Sequence, residues 1–164
     1  MGPLWEWKAS SPSSPQEAPA FDSKTKREVD QIAKTWVTGQ STEISGGDRW
    51  GYLEWSLFLE ALGRETTISP VVFDTLKNRY QMDTRENAPL KGLWYELVAR
   101  HKYIPSYPGM RQFLESGLGR IKIILPVYRA LMKSGEEALA REIWEAARPR
   151  VSPITRDSLD PKIK

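Results

Sequence analysis

Two cationic side chains, Arg120 and Lys122, stand two residues apart after a glycine-rich break in the chain. They belong to the segment SGLGRIKIILPVYRAL, in which Pro126 is expected near the start of an apolar helix. In an extended segment, residues i and i+2 point to the same side. The spacing therefore predicts that both charges face one small anion such as a carboxylate, to which arginine offers a planar fork and lysine a point charge. A solvated basic turn is the alternative interpretation.

Residues for zinc or nucleophilic chemistry are scarce. His101 is the single histidine and there is no cysteine, so an HExxH zinc motif, which needs two histidines on one helix face, cannot be formed. His101 is expected to play a structural part at a helix end. Ser116 and Ser134 lack the partners of a serine triad. The sequence thus predicts no catalytic residue and no metal ligand in this chain.

Composition is that of an ordinary soluble domain. The 164 residues are 40% hydrophobic and 27% charged, enough for one domain with a sizeable core. The net charge of +3 is weak and dispersed, which disfavours nucleic acid as a partner. No apolar run approaches the ~20 residues that cross a bilayer, and no secretory signal pattern opens the chain. Together with the absence of cysteine, these features favour a cytoplasmic protein without membrane attachment.

Helical periodicity dominates after a Ser- and Pro-rich start. Residues 1–21 are predicted to be a disordered lead and residues 22–164 one folded domain. The apolar spacing predicts about seven short helices, which imply an all-α fold in a two-layer armadillo- or HEAT-like superhelical arc. The helices are expected from Asp22 or Ser23 to Thr38, from Asp48 to Leu62, from Ser69-Pro70 through Tyr80, across Leu90–Val98, from Met110 to Gly117, from near Pro126, and from a Ser134–Glu137 capping box to Pro149. Only Ile121–Ile123 suggests an extended piece, and the tail from Arg150 is predicted to be irregular.

Several motifs occur in the order found in one known family. These are VDQIAKTWVTG, LEWSLFLEAL, NRYQMDTRENAPLKGLW, the G-R-x-K-x-x-x-P pattern around Arg120, and ARPRVSPITRDSL. Together they resemble the C-terminal domain of the leukotriene-A(4) hydrolase and aminopeptidase B family of zinc aminopeptidases, the gluzincins. The likeness covers about residues 24–164, and the stretch YRALMKSGEEALA is similar to the aminopeptidase B branch.

The resemblance implies that catalysis and substrate binding are divided between two domains. Zinc and hydrolysis belong to the family's separate catalytic domain, while Arg120 and Lys122 match the residues that hold the free carboxylate of the peptide substrate. The chain is then expected to be a fragment, isoform or split product of a metalloaminopeptidase, inactive alone and without a cofactor of its own. Its partners would be peptide substrate and that catalytic domain. A stand-alone, non-catalytic helical interaction module is the alternative, and nucleic-acid binding is the least favoured hypothesis.

Overall fold

The structure is a computed structural model that describes residues 13–163 except positions 45 and 118, with side chains described from Lys24 onward. This part of the chain contains eight α-helices and no strand, which confirms the predicted all-α class. Short 3₁₀ turns lie at Gly47–Arg49, Met82–Thr84, Ile104–Ser106 and Arg148–Arg150. The helices are α1 Ser13–Val37, α2 Tyr52–Gly63, α3 Pro70–Asn78, α4 Ala88–Arg100, α5 Tyr107–Glu115, α6 Ile121–Lys133, α7 Glu137–Ala147 and α8 Pro153–Ile163.

Alternate helices pack on one another. Helix α1 lies against α2, and α2, α4, α6 and α8 then contact each other in succession. Helix α5 packs on α7 in the same alternating manner. Two stacked layers of helix pairs would give such an alternation. The superhelical arc itself stays a prediction. None of the helices in the described range is long and apolar enough to cross a bilayer.

Four tryptophan side chains lie in the core. Trp36, Trp55, Trp94 and Trp144 are all at most 1% exposed. Each aromatic ring of this size removes 150–250 Å² from water, which dominates core energetics. Trp36 meets Phe58 edge-on, with ring centroids 5.0 Å apart, and so joins α1 to α2. Trp5 and Trp7 lie outside the described residues.

Helices α3 and α4 begin where local signals place them. Ser69 precedes Pro70, which occupies the first position of α3. Asn87 caps α4, and its side-chain oxygen accepts a hydrogen bond from the Leu90 amide at 2.9 Å. His101 is the C-terminal cap of α4, as expected.

Helices α1 and α2 do not begin at the predicted residues. Helix α1 starts at Ser13 and not near Asp22, so residues 13–21 of the expected lead are helical, while residues 1–12 lie outside the described range. Proline is tolerated in a first helical turn, where its missing N–H has no intrahelical partner. Helix α2 starts at Tyr52 and not at Asp48, because the Glu54 carboxylate accepts the Gly51 N–H at 2.9 Å and fixes the helix start there.

Helix α6 corrects the prediction of an extended Ile121–Ile123 segment. The helix begins at Ile121, and Pro126 lies inside it. Its buried face is formed by Ile124, Val127 and Leu131, which recur with helical spacing. Burial of this face outweighs the backbone hydrogen bond that Pro126 cannot donate to the Lys122 carbonyl.

The C-terminal region differs from the sequence prediction in two further respects. The predicted Ser134–Glu137 capping box is wrong, because Ser134 caps the end of α6 and its hydroxyl donates to the Leu131 carbonyl at 3.1 Å. The tail predicted to be irregular contains α8. Its Ser152 hydroxyl accepts the Thr155 amide at 3.3 Å, and a proline follows in the first helical position.

Candidate functional site

Two glycines position the start of α6. A Cβ atom at Gly119 would lie 2.3 Å from Ile124 Cγ2, so only glycine lets the chain turn into the helix at this point. A Cβ atom at Gly92 of α4 would lie 2.7 Å from Ile123 Cγ2 and 3.0 Å from the Ile123 carbonyl oxygen. Close contact of α4 with the first turn of α6 therefore depends on Gly92, and it fixes where Arg120 and Lys122 stand.

Arg120 and Lys122 occupy a helix N-terminus. Arg120 is the N-cap residue, with an extended backbone, and Lys122 is the second residue of α6. The prediction that they project from one side of an extended strand is wrong, because the helix begins between them. Both residues lie at the first turn of α6, Arg120 just before it and Lys122 within it.

The first turn of α6 is marked by its two cations, since α3 and α5 also lack an acidic residue in the first turn and a side-chain cap. The first turn of α6 contains no acidic residue, and the N-cap side chain makes no capping hydrogen bond. Arg120 and Lys122 are exposed, and within the described part of the chain neither side chain forms an ion pair or hydrogen bond. Helix N-termini carry partial positive charge and unpaired N–H groups, so anions are favoured there and cations are not.

Lys122 also lines a recess between α2, α4 and α6, here called the apolar recess. Its volume is about 200 Å³. Arg120 does not contribute to it. The apolar recess is lined mainly by nonpolar groups, with three charged residues among them: Tyr52, Pro89, Gly92, Leu93, Ile123 and Pro126, with Glu60, Glu96 and Lys122.

Sequence reasoning did not identify Glu60 and Glu96 as neighbours of Lys122. The three residues are contributed by three different helices, and no local motif links them. The available signal in the sequence was that Glu60 and Glu96 fall within the predicted helices α2 and α4. Glu96 is already paired with Arg100 at 2.8 Å, but Glu60 weakens the attraction of Lys122 for an anion, so Arg120 is the stronger candidate for a carboxylate contact.

His101 has no features of a metal ligand or general base. Burial, aided by the Arg100 guanidinium, lowers the pKa of His101 below its usual value. Its ring packs against Phe73 with centroids 5.5 Å apart, and Nε2 is buried with no hydrogen-bond partner among the described residues. The same range holds no group of three or more His, Cys, Asp or Glu side chains that could bind a metal ion. The residues described therefore do not fit a zinc site of the aminopeptidase type.

Comparison with known proteins assigns the family. Residues 50–163 match the family model "Leukotriene A4 hydrolase, C-terminal". The chain is 27% identical to aminopeptidase B of Mus musculus over 72% of its length, 28% identical to aminopeptidase RNPEPL1 of Homo sapiens over 92%, and 27% identical to leucine aminopeptidase 2 of Neurospora crassa over 95%. It spans 19%, 20% and 23% of these relatives respectively.

The nearly equal identities do not separate the aminopeptidase B branch from the others, so that branch stays a prediction. The family model spans the helices from α2 to α8, including the α6 turn that carries Arg120 and Lys122. The chain therefore belongs to the family of leukotriene A4 hydrolase C-terminal domains.

Proposed function

We propose that the chain acts as the C-terminal helical domain of a zinc metalloaminopeptidase, where it shapes the peptide cleft and binds the substrate's C-terminal carboxylate. The observation that carries the proposal is the first turn of α6. It combines two exposed cations without ion pairs in the described range, no acidic residue and no side-chain cap. A carboxylate at this position would satisfy both the charges and the free N–H groups of the turn.

Arg120 and Lys122 have different roles in this proposal. Arg120, at the N-cap, offers a two-pronged contact to the carboxylate, and Lys122 adds a point charge. An exposed ion pair contributes only ~0–1 kcal/mol. Strong binding therefore requires a second wall that excludes water, which the proposal assigns to the catalytic domain of the aminopeptidase.

Zinc chemistry is assigned to that catalytic domain and not to this chain. Zinc would supply Lewis-acid activation of the scissile bond there. The proposal predicts that the isolated chain does not bind zinc stoichiometrically and does not hydrolyse aminoacyl substrates, because it has one histidine and no thiol. Elemental analysis that finds one tightly bound zinc ion per chain, with chelator-sensitive aminopeptidase activity, would refute it.

The carboxylate contact can be tested in a chimera that replaces the matching segment of mouse aminopeptidase B with this chain. We expect Arg120→Ala to reduce kcat/KM for peptides with a free carboxylate by about 30-fold or more, since loss of one partner of a desolvated pair costs ~2–5 kcal/mol. Lys122→Ala should have a smaller effect. The same peptides with amidated C-termini should respond little to either change.

Arg27→Ala is the matched control, because Arg27 is an exposed arginine of α1 without an ion pair among the described residues. It should leave kcat/KM unchanged for both peptide types. Equal losses for carboxylate and amide peptides in Arg120→Ala would mean that Arg120 is structural, and the carboxylate role would be refuted.

A further inference from the structure

A second recess, here called the basic recess, lies between α4 and the C-terminal half of α6. Its volume is about 400 Å³. Three cations, Arg100, Arg129 and Lys133, line it together with a single carboxylate, Glu96. The basic recess therefore has an excess of positive charge, in contrast to the apolar recess, where Glu60 and Glu96 outnumber Lys122.

The cations of the basic recess differ in how they are held. Arg100 is fixed, since it pairs with Glu96 at 2.8 Å and also donates to the Gly63 carbonyl. Arg129 and Lys133 are exposed and form no ion pair within the described residues. Arg100 and Lys133 lie in the last turns of their helices, where the helix dipole favours a cation. Arg129 lies a full turn earlier in α6, so the dipole does not account for it.

The two recesses form one continuous face. Pro126 and Glu96 line both, and Pro126, Arg129 and Lys133 follow one stripe of α6 at spacings of three and four residues. Along α6 the apolar recess is lined from position 122 to 126 and the basic recess from position 126 to 134, so the midpoints of the two spans are about 9 Å apart at ~1.5 Å per residue. An extended peptide covers this distance in about three residues.

We infer that this face docks an extended peptide segment whose carboxylate side chains enter the basic recess while an apolar side chain, about three residues away, enters the apolar recess. Charge complementarity selects the acidic residues, and the nonpolar lining of Tyr52, Leu93 and Ile123 selects the apolar one. Glu60 in the apolar recess forms no ion pair within the described residues and opposes a continuous polyphosphate, so the face favours a peptide over a nucleic acid. The inference does not depend on the carboxylate role of Arg120.

The test uses the full chain and short fluorescent peptides with blocked ends, so that no terminal carboxylate can reach the first turn of α6. The probes carry two glutamates separated by two glycines from a leucine, in both chain directions, and matched probes carry glutamine for glutamate. Fluorescence anisotropy measures affinity, and amide chemical shifts locate the bound peptide. We expect binding of a glutamate probe, shifts at α4 and α6, and weaker binding at high salt.

The double variant Arg129→Ala with Lys133→Ala should weaken binding of the glutamate probe about tenfold, as expected for two lost charge contacts. Both residues are exposed, so the fold should be retained. The control, Lys24→Ala with Arg27→Ala, removes two exposed cations of α1 and should leave affinity unchanged. Equal affinity for the glutamine probe, equal weakening by both double variants, or stronger binding of a single-stranded oligonucleotide would overturn the inference.

Discussion

Replacing Gly92 by alanine should loosen the contact that positions the proposed anion site. Gly92 is buried in α4, and an added Cβ would lie 2.7 Å from Ile123 Cγ2 and 3.0 Å from the Ile123 carbonyl oxygen. In protein structures, non-bonded heavy atoms essentially never lie within 3.0 Å of a Cβ atom. Either α6 moves away from α4 or the Ile123 side chain leaves its position, and the first turn of α6 is displaced in both cases.

Two opposing effects set the change in the free energy of unfolding caused by Gly92→Ala. Overpacking of a well-packed contact costs typically 1–3 kcal/mol. Alanine in a helix interior is favoured over glycine by ~1 kcal/mol. The expected net loss for Gly92→Ala is therefore about 1 kcal/mol, which for a chain of this size lowers Tm by roughly 3 °C.

Gly63→Ala is the matched control, because it makes the same chemical change in a helix without the close approach. At Gly63 the nearest atom to an added Cβ is Arg100 Nη1 at 3.5 Å, an ordinary contact. Gly63→Ala should be neutral or stabilising by up to ~1 kcal/mol. Urea unfolding and thermal melts followed by circular dichroism would measure both variants.

A double-mutant cycle separates the contact from helix propensity. Ile123→Ala removes the Cγ2 atom that Gly92→Ala would meet, so the alanine at position 92 should cost less in that background, with a coupling energy of about 1 kcal/mol. If Gly92→Ala is as stable as the unaltered chain while Gly63→Ala behaves as expected, the proposed steric control of α6 by Gly92 is refuted.

Two further perturbations probe the support of α4. Asp83→Ala should destabilise the fold by about 2–4 kcal/mol, because the buried donors Trp94 Nε1 and Ser106 Oγ would lose their acceptor. These donors lie 2.9 and 3.0 Å from the Asp83 carboxylate. An equal shift of the urea midpoint in the control variant Asp157→Ala, at an exposed position, would contradict this. Burial and the nearby Arg100 guanidinium lower the pKa of His101, so its protonation favours the unfolded state. The free energy of unfolding should therefore fall as the pH drops below about 6.5. His101→Gln should remove that part of the pH dependence in urea titrations, and an unchanged pH profile would contradict the assignment to His101.

Elements with short-range signals could be predicted from the sequence. Asn87 satisfies a backbone donor at the start of α4, and a regular apolar stripe follows it. Ser69 and Pro70 mark α3 in the same local way. Ser152 and Pro153 carry an identical signal, and α8 does begin there, yet the surrounding Pro, Ser and Asp content led to the prediction of an irregular tail. The same local rule, applied evenly, predicts the eighth helix.

The start of α6 could not be placed from local signals alone, because those signals conflict. Gly117 and Gly119 suggest a break, and Pro126 suggests a helix start, but the helix begins between them at Ile121. Gly117 does serve as a turn residue, with φ of +71°, while Gly119 is required by close packing against Ile124. The first turn of α6 also contacts α4 through Ile123 and Gly92, which are about thirty positions apart in the chain and share no local signal.

The charges of the candidate site were visible in the sequence, but their setting was not. Arg120 and Lys122 were expected on one side of an extended segment, whereas they lie at the first turn of a helix. The apolar and basic recesses were not predictable, because both are assembled from side chains of α4 and α6, with α2 contributing to the apolar recess. Helical periodicity gives the face of each helix but not the register between helices, which is set by packing.

The two cations distinguish the start of α6 from α3 and α5, whose first turns also lack an acidic residue and a side-chain cap. A helix N-terminus that lacks an acidic residue and a side-chain cap, and that carries two unpaired cations in the described range, forgoes stabilisation that commonly amounts to ~0.5–2 kcal/mol from the cap alone. Sequences tend to violate local rules at functional positions and to offset the loss elsewhere. In this chain the adjoining buried face of Ile124, Val127 and Leu131 supplies the compensation. The N-terminal turn of α6 can therefore keep its positive charge without unfolding, which is the condition that the proposed carboxylate contact requires.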